Sequence, residues 1–399
     1  MPTVLLVWEL GLNLGHVRRL ESLAEALMAR GCRVMISARE PKVANAMACQ
    51  WTVKPAPKTP ARPDRDPPKA PQYNYADLLR GLGYDDHTAL PAAVQPWLDQ
   101  IGEIKPDCLI ADHAPTAMLA ARLAGLPACP IGVGFHVPPL SRPMPPFKWW
   151  RPSPPRVRLR EVERAVLSSV NHLLADHQKP ALDSVSALLE GPRRFLTTMP
   201  ELDEYPERPQ GEHYTGFPLS PGTGYWPDWP AGDGPKILGY LRADYPAVYT
   251  VLQSLSALPV RALVYVGGST AAQCKSWTSE RVRIVDQPLD LERGAETCDI
   301  GLNYASNAFV AQVLRAGKPL LLLPPFDQQM MLAQRLVQQR CGRLINPAWT
   351  SEQWFTVLQE MLEDAPWQQG AQRMAQIISE YPDGVAIMAE IADEICALM

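Results

Sequence analysis

The chain has 399 residues, enough for two or three domains with cores of their own and too many for a single small module. Its 46% hydrophobic and 20% charged residues describe a globular protein, not a disordered or fibrous one, and 42 prolines, about twice the usual share, have to sit mainly in loops. A formal net charge of -4 gives no general basic field, which argues against DNA or RNA as a partner.

Val4 to Val7 is a short apolar run followed by a turn containing Gly11 and Gly15. Val17, Leu20, Leu23 and Leu27 then repeat at helical spacing until Gly31. Arg33 to Ser37 reads as the next strand, so the chain opens with the βαβ unit of a parallel sheet. The start lacks the basic segment and cleavage site of a secretory signal, and no stretch approaches 18 apolar residues, so a cytoplasmic location is expected. Residues 55–71 carry seven prolines and form neither a regular helix nor a central strand. Asp107 to Asp112 reads as a strand, 114–124 as a helix closed by Gly125, and 128–133 as another strand. A second proline-rich insertion, 138–155, carries Phe147, Trp149, Trp150 and Arg151.

From Lys236 the layout restarts, with strands predicted at 236–241, 260–266, 282–285, 299–303 and 319–323 between helical segments. The predicted fold class is α/β, two Rossmann-like β/α/β domains facing across a cleft. The first domain is expected over 1–215, a Gly- and Pro-rich linker over 216–235, and the second domain over 236–380. A terminal helix at 381–399 is expected to pack back on the first domain. Eight cysteines, at 32, 49, 108, 129, 274, 298, 341 and 396, are scattered with no Cys-x-x-Cys pair and read as reduced packing residues.

His16 stands where the first strand hands over to the first helix, at the carboxyl edge of a parallel sheet, where open α/β folds place ligands. A histidine there suits a general base near neutral pH, or it merely begins the helix. Asp112 ends a strand at the same edge; it either orients His16 or caps the helix that starts near Ala114. A dinucleotide site, with Glu40 on the ribose, is the rival reading. It fails on spacing, because Gly11 and Gly15 are four apart and do not supply the first two glycines of Gly-x-Gly-x-x-Gly. In the second half, the strand from Asp299 runs into Tyr304, Ala305, Ser306, Asn307 and Ala308, where a helix begins. Free amides and the helix dipole there suit a diphosphate. Asp327 and Gln328, after Pro324 and Pro325, present a carboxylate and a carboxamide at another strand end.

With these marks the chain resembles the GT-B glycosyltransferases, above all the UDP-glycosyltransferase branch and more distantly the lipid-linked N-acetylglucosamine transferase of peptidoglycan synthesis. The likeness rests on Gly15-His16, the stretch from Lys105 to Asp112, Ala124 to Pro127, and the gapless run from Asp299 through Pro319 to Pro324 and Asp327-Gln328. It implies an inverting, metal-independent transfer from a UDP- or dTDP-sugar to a hydroxyl of a small-molecule or lipid acceptor. His16 would be the base, Asp112 its support, and Asp327 with Gln328 the holders of the transferred sugar. Further donor contacts are implied at Arg242, Gly268, Ser269, Gln287, Pro288 and Gln312, and acceptor contacts at Asn13, His113, His136 and Trp149.

Two positions depart from the pattern: Tyr304-Ala305-Ser306 replaces His-Gly-Gly at the phosphate turn, and Gln312 replaces a ribose-binding glutamate. Both read as a changed donor preference, with Arg242 offering the missing positive charge or lying at the surface with a solvated partner. A nucleotide-sugar epimerase and a catalytically silent nucleotide-sugar binder are the alternatives. Loop aromatics Tyr73, Tyr75, Phe147, Trp149 and Trp150 are expected to wall an apolar acceptor. The basic stretch 148–164 reads as a solvated helix face or a shallow peripheral contact with an anionic membrane. The partners expected are a nucleotide-sugar donor and an acceptor, with no cofactor, metal or nucleic acid; the oligomeric state is left open by the sequence.

Overall fold

In the computed structural model, which describes residues 1–11, 14–41, 51–58, 71–219, 222 and 224–399, the chain divides into two units. The first is Met1–Pro218 with Asp383–Met399, the second Leu219–Pro382.

In the first unit the apolar opening run forms β1 (Thr3–Trp8), followed by α1 (Leu14–Met28), β2 (Arg33–Ala38) and β3 (Thr52–Pro55). Next come α2 (Tyr75–Gly81), α3 (Ala89–Ile104), β4 (Cys108–Asp112), α4 (Pro115–Ala124), β5 (Ala128–Gly132), α5 (Arg156–Asp176) and β6 (Phe195–Leu196). The six strands are parallel in the order β3-β2-β1-β4-β5-β6. The four central residues Val4 to Val7 are fully buried, as strands of a parallel sheet covered on both faces require. The chain moves outward from β1 to β2 and β3, then returns to place β4 on the other side of β1. This makes β1/β4 the topological switch point, where open α/β sheets leave a crevice at the carboxyl ends of their strands.

The second unit repeats the plan with β7 (Lys236–Arg242), α6 (Val248–Ser256), β8 (Arg261–Gly267), α7 (Ala271–Trp277), β9 (Val282–Val285), α8 (Leu291–Thr297), β10 (Ile300–Asn303) and α9 (Asn307–Arg315). It closes with β11 (Leu320–Leu322), α10 (Asp327–Gln338), β12 (Gly342–Leu344), α11 (Ser351–Glu363) and α12 (Ala365–Ser379). Its parallel order, β12-β11-β10-β7-β8-β9, puts the switch point at β10/β7.

The stretch 216–235, read as a linker, is divided. From Leu219 onward it is built into the second unit, where Tyr225 pairs with Leu289 and the Gly222 amide donates to Glu292 Oε2. The last helix, α13 (Gly384–Cys396), lies in the first unit against α1, burying Ile387, Met388, Ile391, Ala392 and Ile395 in the same core as Leu20, Leu23 and Leu27. Among the described residues no helix is long and apolar enough to cross a membrane.

Candidate active site

Because all strands of the first sheet point the same way, the segments that leave β1, β4 and β5 emerge on one edge. Register aligns Trp8 with Asp112 and Asp112 with Ile131, so the side chains just beyond these residues converge. His16, in the first turn of α1, places Nδ1 2.9 Å from Asp112 Oδ1, and Arg19 Nη1 donates to Asp112 Oδ2 at 2.7 Å. His136 Nδ1 lies 3.6 Å from the same Oδ1. The three imidazoles lie close together: His113 stacks on His136 with ring centroids 4.5 Å apart, His136 lies tilted 4.8 Å from His16, and Trp8 stacks on His16 at 5.3 Å. Trp8, the three histidines and Asp112 are buried, Asp112 completely, and Arg19 is partly exposed.

Burial alone would raise the Asp112 carboxyl, but Arg19 and His16 outweigh it and hold the group below the usual carboxylate range. An ionised carboxylate only accepts, so His16 Nδ1 carries the proton toward Oδ1, and in the neutral ring the lone pair is on Nε2. Burial, with His16 close by, pushes His113 down to about 3, so this ring is neutral. His113 also sits in the left-handed region with φ 48°, which turns the chain sharply between β4 and α4.

Two glycines make room for the histidines. Gly11 has φ 90°, and a Cβ there would come 2.6 Å from His16 Nε2; Gly132 has φ 152°, and its Cβ would come 2.7 Å from that of His136. Gly15 does not share the turn role expected of it. It lies inside α1 with open space beside its Cα, because the helix already begins at Leu14. Asn13, expected at the acceptor, lies outside the described residues.

The capping alternative for Asp112 does not hold. The amides of Thr116 and Ala117 at the start of α4 donate instead to Glu9 Oε2, at 2.9 and 3.4 Å, and Asp112 is turned to the histidines. Glu9 and Arg19 are the site residues that the sequence reading missed. Arg19 carried a signal, three residues beyond His16 and hence on the same helix face. Glu9 carried none, since the helix it caps lies more than 100 residues away.

Trp149 is half-buried, its indole N–H held by the Glu204 carbonyl at 2.9 Å. Tyr75 and Phe147, expected to wall an acceptor, are buried: Tyr75 begins α2 with its ring 6.1 Å from that of His113, and Phe147 packs on Phe135. In the basic stretch Arg158 is engaged by Asp77 at 2.9 Å, while Lys148, Arg151, Arg156, Arg160 and Arg164 are exposed.

In the second unit the expected donor residues stand on the corresponding edge. At the switch point the Arg242 amide donates to the Tyr304 hydroxyl at 3.1 Å, and the Arg242 guanidinium makes a two-pronged pair with Asp244 at 2.8 and 2.6 Å. Ala305, at φ 60°, turns the chain into α9. The amide and hydroxyl of Ser306 both donate to Asn303 Oδ1, and the first intrahelical bond runs from the Val310 amide to the Ser306 carbonyl. The amides of Asn307, Ala308 and Phe309 thus head the helix at its positive end.

Gln312 is buried on α9; Asp327 and Gln328 form the first turn of α10 after Phe326. Gly268 takes φ 80°, and the Ser269 hydroxyl donates back to the Val266 carbonyl at 2.6 Å. Gln287 and Pro288 are exposed after β9, the Pro288 carbonyl accepting from the Tyr225 amide.

Residues 15–183 match the family model of the glycosyl transferase 4-like domain. A PGL/p-HBAD biosynthesis glycosyltransferase of Mycobacterium tuberculosis is 24% identical over 295 residues, covering 69% of this chain and 68% of that one. The chain has a GT-B fold, with a glycosyl transferase 4-like domain in its first unit. Among solved structures, the spinosyn rhamnosyltransferase SpnG superimposes with a TM-score of 0.69 at 18% identity, over 98% of this chain and 99% of that one. SpnG has also been solved with spinosyn aglycone and with thymidine diphosphate. The glycosyltransferase SnogD of Streptomyces nogalater gives 0.65 at 20% identity, over 100% of this chain and 99% of that one.

Proposed function

We propose that this GT-B chain moves a sugar, with inversion and without a metal, from a thymidine- or uridine-diphosphate donor to a hydroxyl of a small-molecule or lipid acceptor. The observation that carries the reading is the His16–Asp112 pair, 2.9 Å apart at the switch point of the first sheet, with Arg19 fixing the far carboxylate oxygen.

The acceptor hydroxyl gives its proton to His16 Nε2 while its oxygen attacks the anomeric carbon. The bond from that carbon to the diphosphate breaks, and the nucleoside diphosphate leaves with the electron pair. Asp112 holds the imidazole in the tautomer that presents Nε2 and stabilises the imidazolium that forms. The amides at the head of α9 receive the departing charge. Burial raises the Tyr304 hydroxyl above its usual range, so it keeps its proton; its oxygen already accepts from the Arg242 amide, and its hydrogen is left for a phosphate oxygen. Asp327 and Gln328 are assigned to the sugar hydroxyls, and Gln312 to the ribose. SpnG, solved with thymidine diphosphate, supports this donor class.

The test is a panel of nucleoside diphosphates by thermal shift, followed by incubation of the best donor sugar with and without a panel of hydroxyl acceptors. Transfer only in the presence of acceptor, with the anomeric configuration inverted by NMR, is the expected result. An epimerised sugar from donor alone would overturn it.

A further inference from the structure

We infer that His16, Asp112 and His136 form a binding site for a divalent ion of the zinc class, and that an ion held there switches sugar transfer off. The two imidazoles approach one carboxylate oxygen: Asp112 Oδ1 lies 2.9 Å from His16 Nδ1 and 3.6 Å from His136 Nδ1. One ligand atom from each of the three residues falls within 4.8 Å of the others. Zinc takes imidazole nitrogen and carboxylate oxygen at about 2.0–2.2 Å, which sets neighbouring ligands of a tetrahedral ion about 3.4 Å apart. The two separations to Asp112 Oδ1 lie on either side of that value, and the two imidazole nitrogens, within 4.8 Å of each other, close on the ion as it binds. Three protein ligands leave a fourth position for water. Two imidazoles select against magnesium and calcium, which take oxygen.

The surroundings keep these ligands close together before any ion arrives. Trp8 stacks on His16, His113 stacks on His136, Gly132 lets the backbone pass close under His136, and Arg19 occupies only the other oxygen of Asp112. The positive charge of Arg19 opposes a dication, so the site is a reversible one that a chelator empties.

The effect on transfer follows from proton positions. In the metal-free state Nδ1 of His16 carries the proton and Nε2 the lone pair. An ion bound at Nδ1 needs that lone pair for itself, so the single proton of the neutral ring resides on Nε2, which then has nothing with which to accept a proton from an alcohol. No proton is gained or lost by the ring. This inhibitory consequence rests on the proposed role of His16; the binding does not.

Cobalt chloride is the probe, titrated into the full chain and into His136→Ala, with far-UV circular dichroism checking both folds and His136→Gln replacing the alanine variant if that one unfolds. The wild type is expected to develop visible ligand-field bands saturating at one ion per chain, to melt at a higher temperature with the ion, and to lose both effects with EDTA; the His136 variant should bind at least tenfold more weakly. Absence of bands and of a melting shift in the wild type, or equal affinity in the variant, would overturn the site. Zinc at saturating concentration should abolish transfer and EDTA restore it. Cobalt binding that depends on His136, with transfer undiminished, would support the metal site and count against His16 as the base.

Discussion

At the scale of single residues, the geometry at Nε2 of His16 sets the tightest constraint. Alanine at Gly11 would put a methyl group 2.6 Å from that nitrogen on a backbone at φ 90° that only glycine adopts easily. The ring must yield, and an ångström of misplacement at a reacting group is worth about 10²-fold in rate. Gly11→Ala is therefore expected to lower kcat about 10²-fold. Gly15→Ala, in helical backbone with open space around it, should leave kcat alone and raise stability by about 0.5–1 kcal/mol. Steady-state kinetics and thermal melts on the pair check this, and equal kinetic effects would contradict it.

Glu204 offers a second residue-level expectation. Burial, reinforced by Asp203, pushes its carboxyl from 4.5 up to about 8. Below about pH 4.5 the folded and unfolded chains both hold the proton. Between there and about pH 8 the folded chain keeps it while the unfolded chain releases it, so stability falls as pH rises, on the order of 1 kcal/mol per unit. Glu204→Gln should flatten the decline between pH 5 and 8 in urea melts, leaving the contribution of Glu9, which burial pushes up to about 7 and which acts with the same sign. An unchanged slope would count against it. His16 and Asp112 were legible in the sequence because each sits where an apolar strand ends. Arg19 was marked only by its place on the helix face of His16, and Glu9 not at all, because a charged residue on a helix or at a strand end ordinarily faces water and its buried partner lies far along the chain.

At the scale of elements, most of the strands that could be read are buried on both faces, β1, β4, β7 and β8 standing out as apolar runs; β9, an edge strand with alternate residues buried, was read as well. The missed strands, β3, β6 and β12, are all sheet edges of two to four residues. An edge strand is paired on one side only and needs no apolar run, and Lys54 with Pro55 in β3 and Gly342 in β12 weaken the pattern further. Helix α13 shows how an element far along the chain supports the site, since it covers the face of α1 opposite to solvent and α1 carries His16 and Arg19. Ile391 is buried in that seam. Ile391→Ala is expected to cost about 2–4 kcal/mol. The loss should appear in the unfolding of the first unit, followed through Trp8 and Trp97 protection in hydrogen exchange; destabilisation confined to the second unit would contradict this placement.

At the scale of the whole molecule, the plan of two parallel α/β units was legible because each half opens with a buried strand and repeats the strand-helix alternation. Each sheet has its own switch point, and the residues singled out for chemistry gather at both: His16 and Asp112 at β1/β4, Arg242 and Tyr304 at β7/β10. The sequence did not disclose that the third histidine, His136, shares the Asp112 oxygen, because that depends on how the chain turns after β5. The most direct test of the account is transfer by His16→Ala beside the wild type, with a confirmed donor and acceptor and donor affinity measured separately by calorimetry. A fall in kcat of at least about 10²-fold, with donor affinity within twofold of wild type, is the expected result; equal turnover by the two proteins would contradict the assignment of His16 as the base.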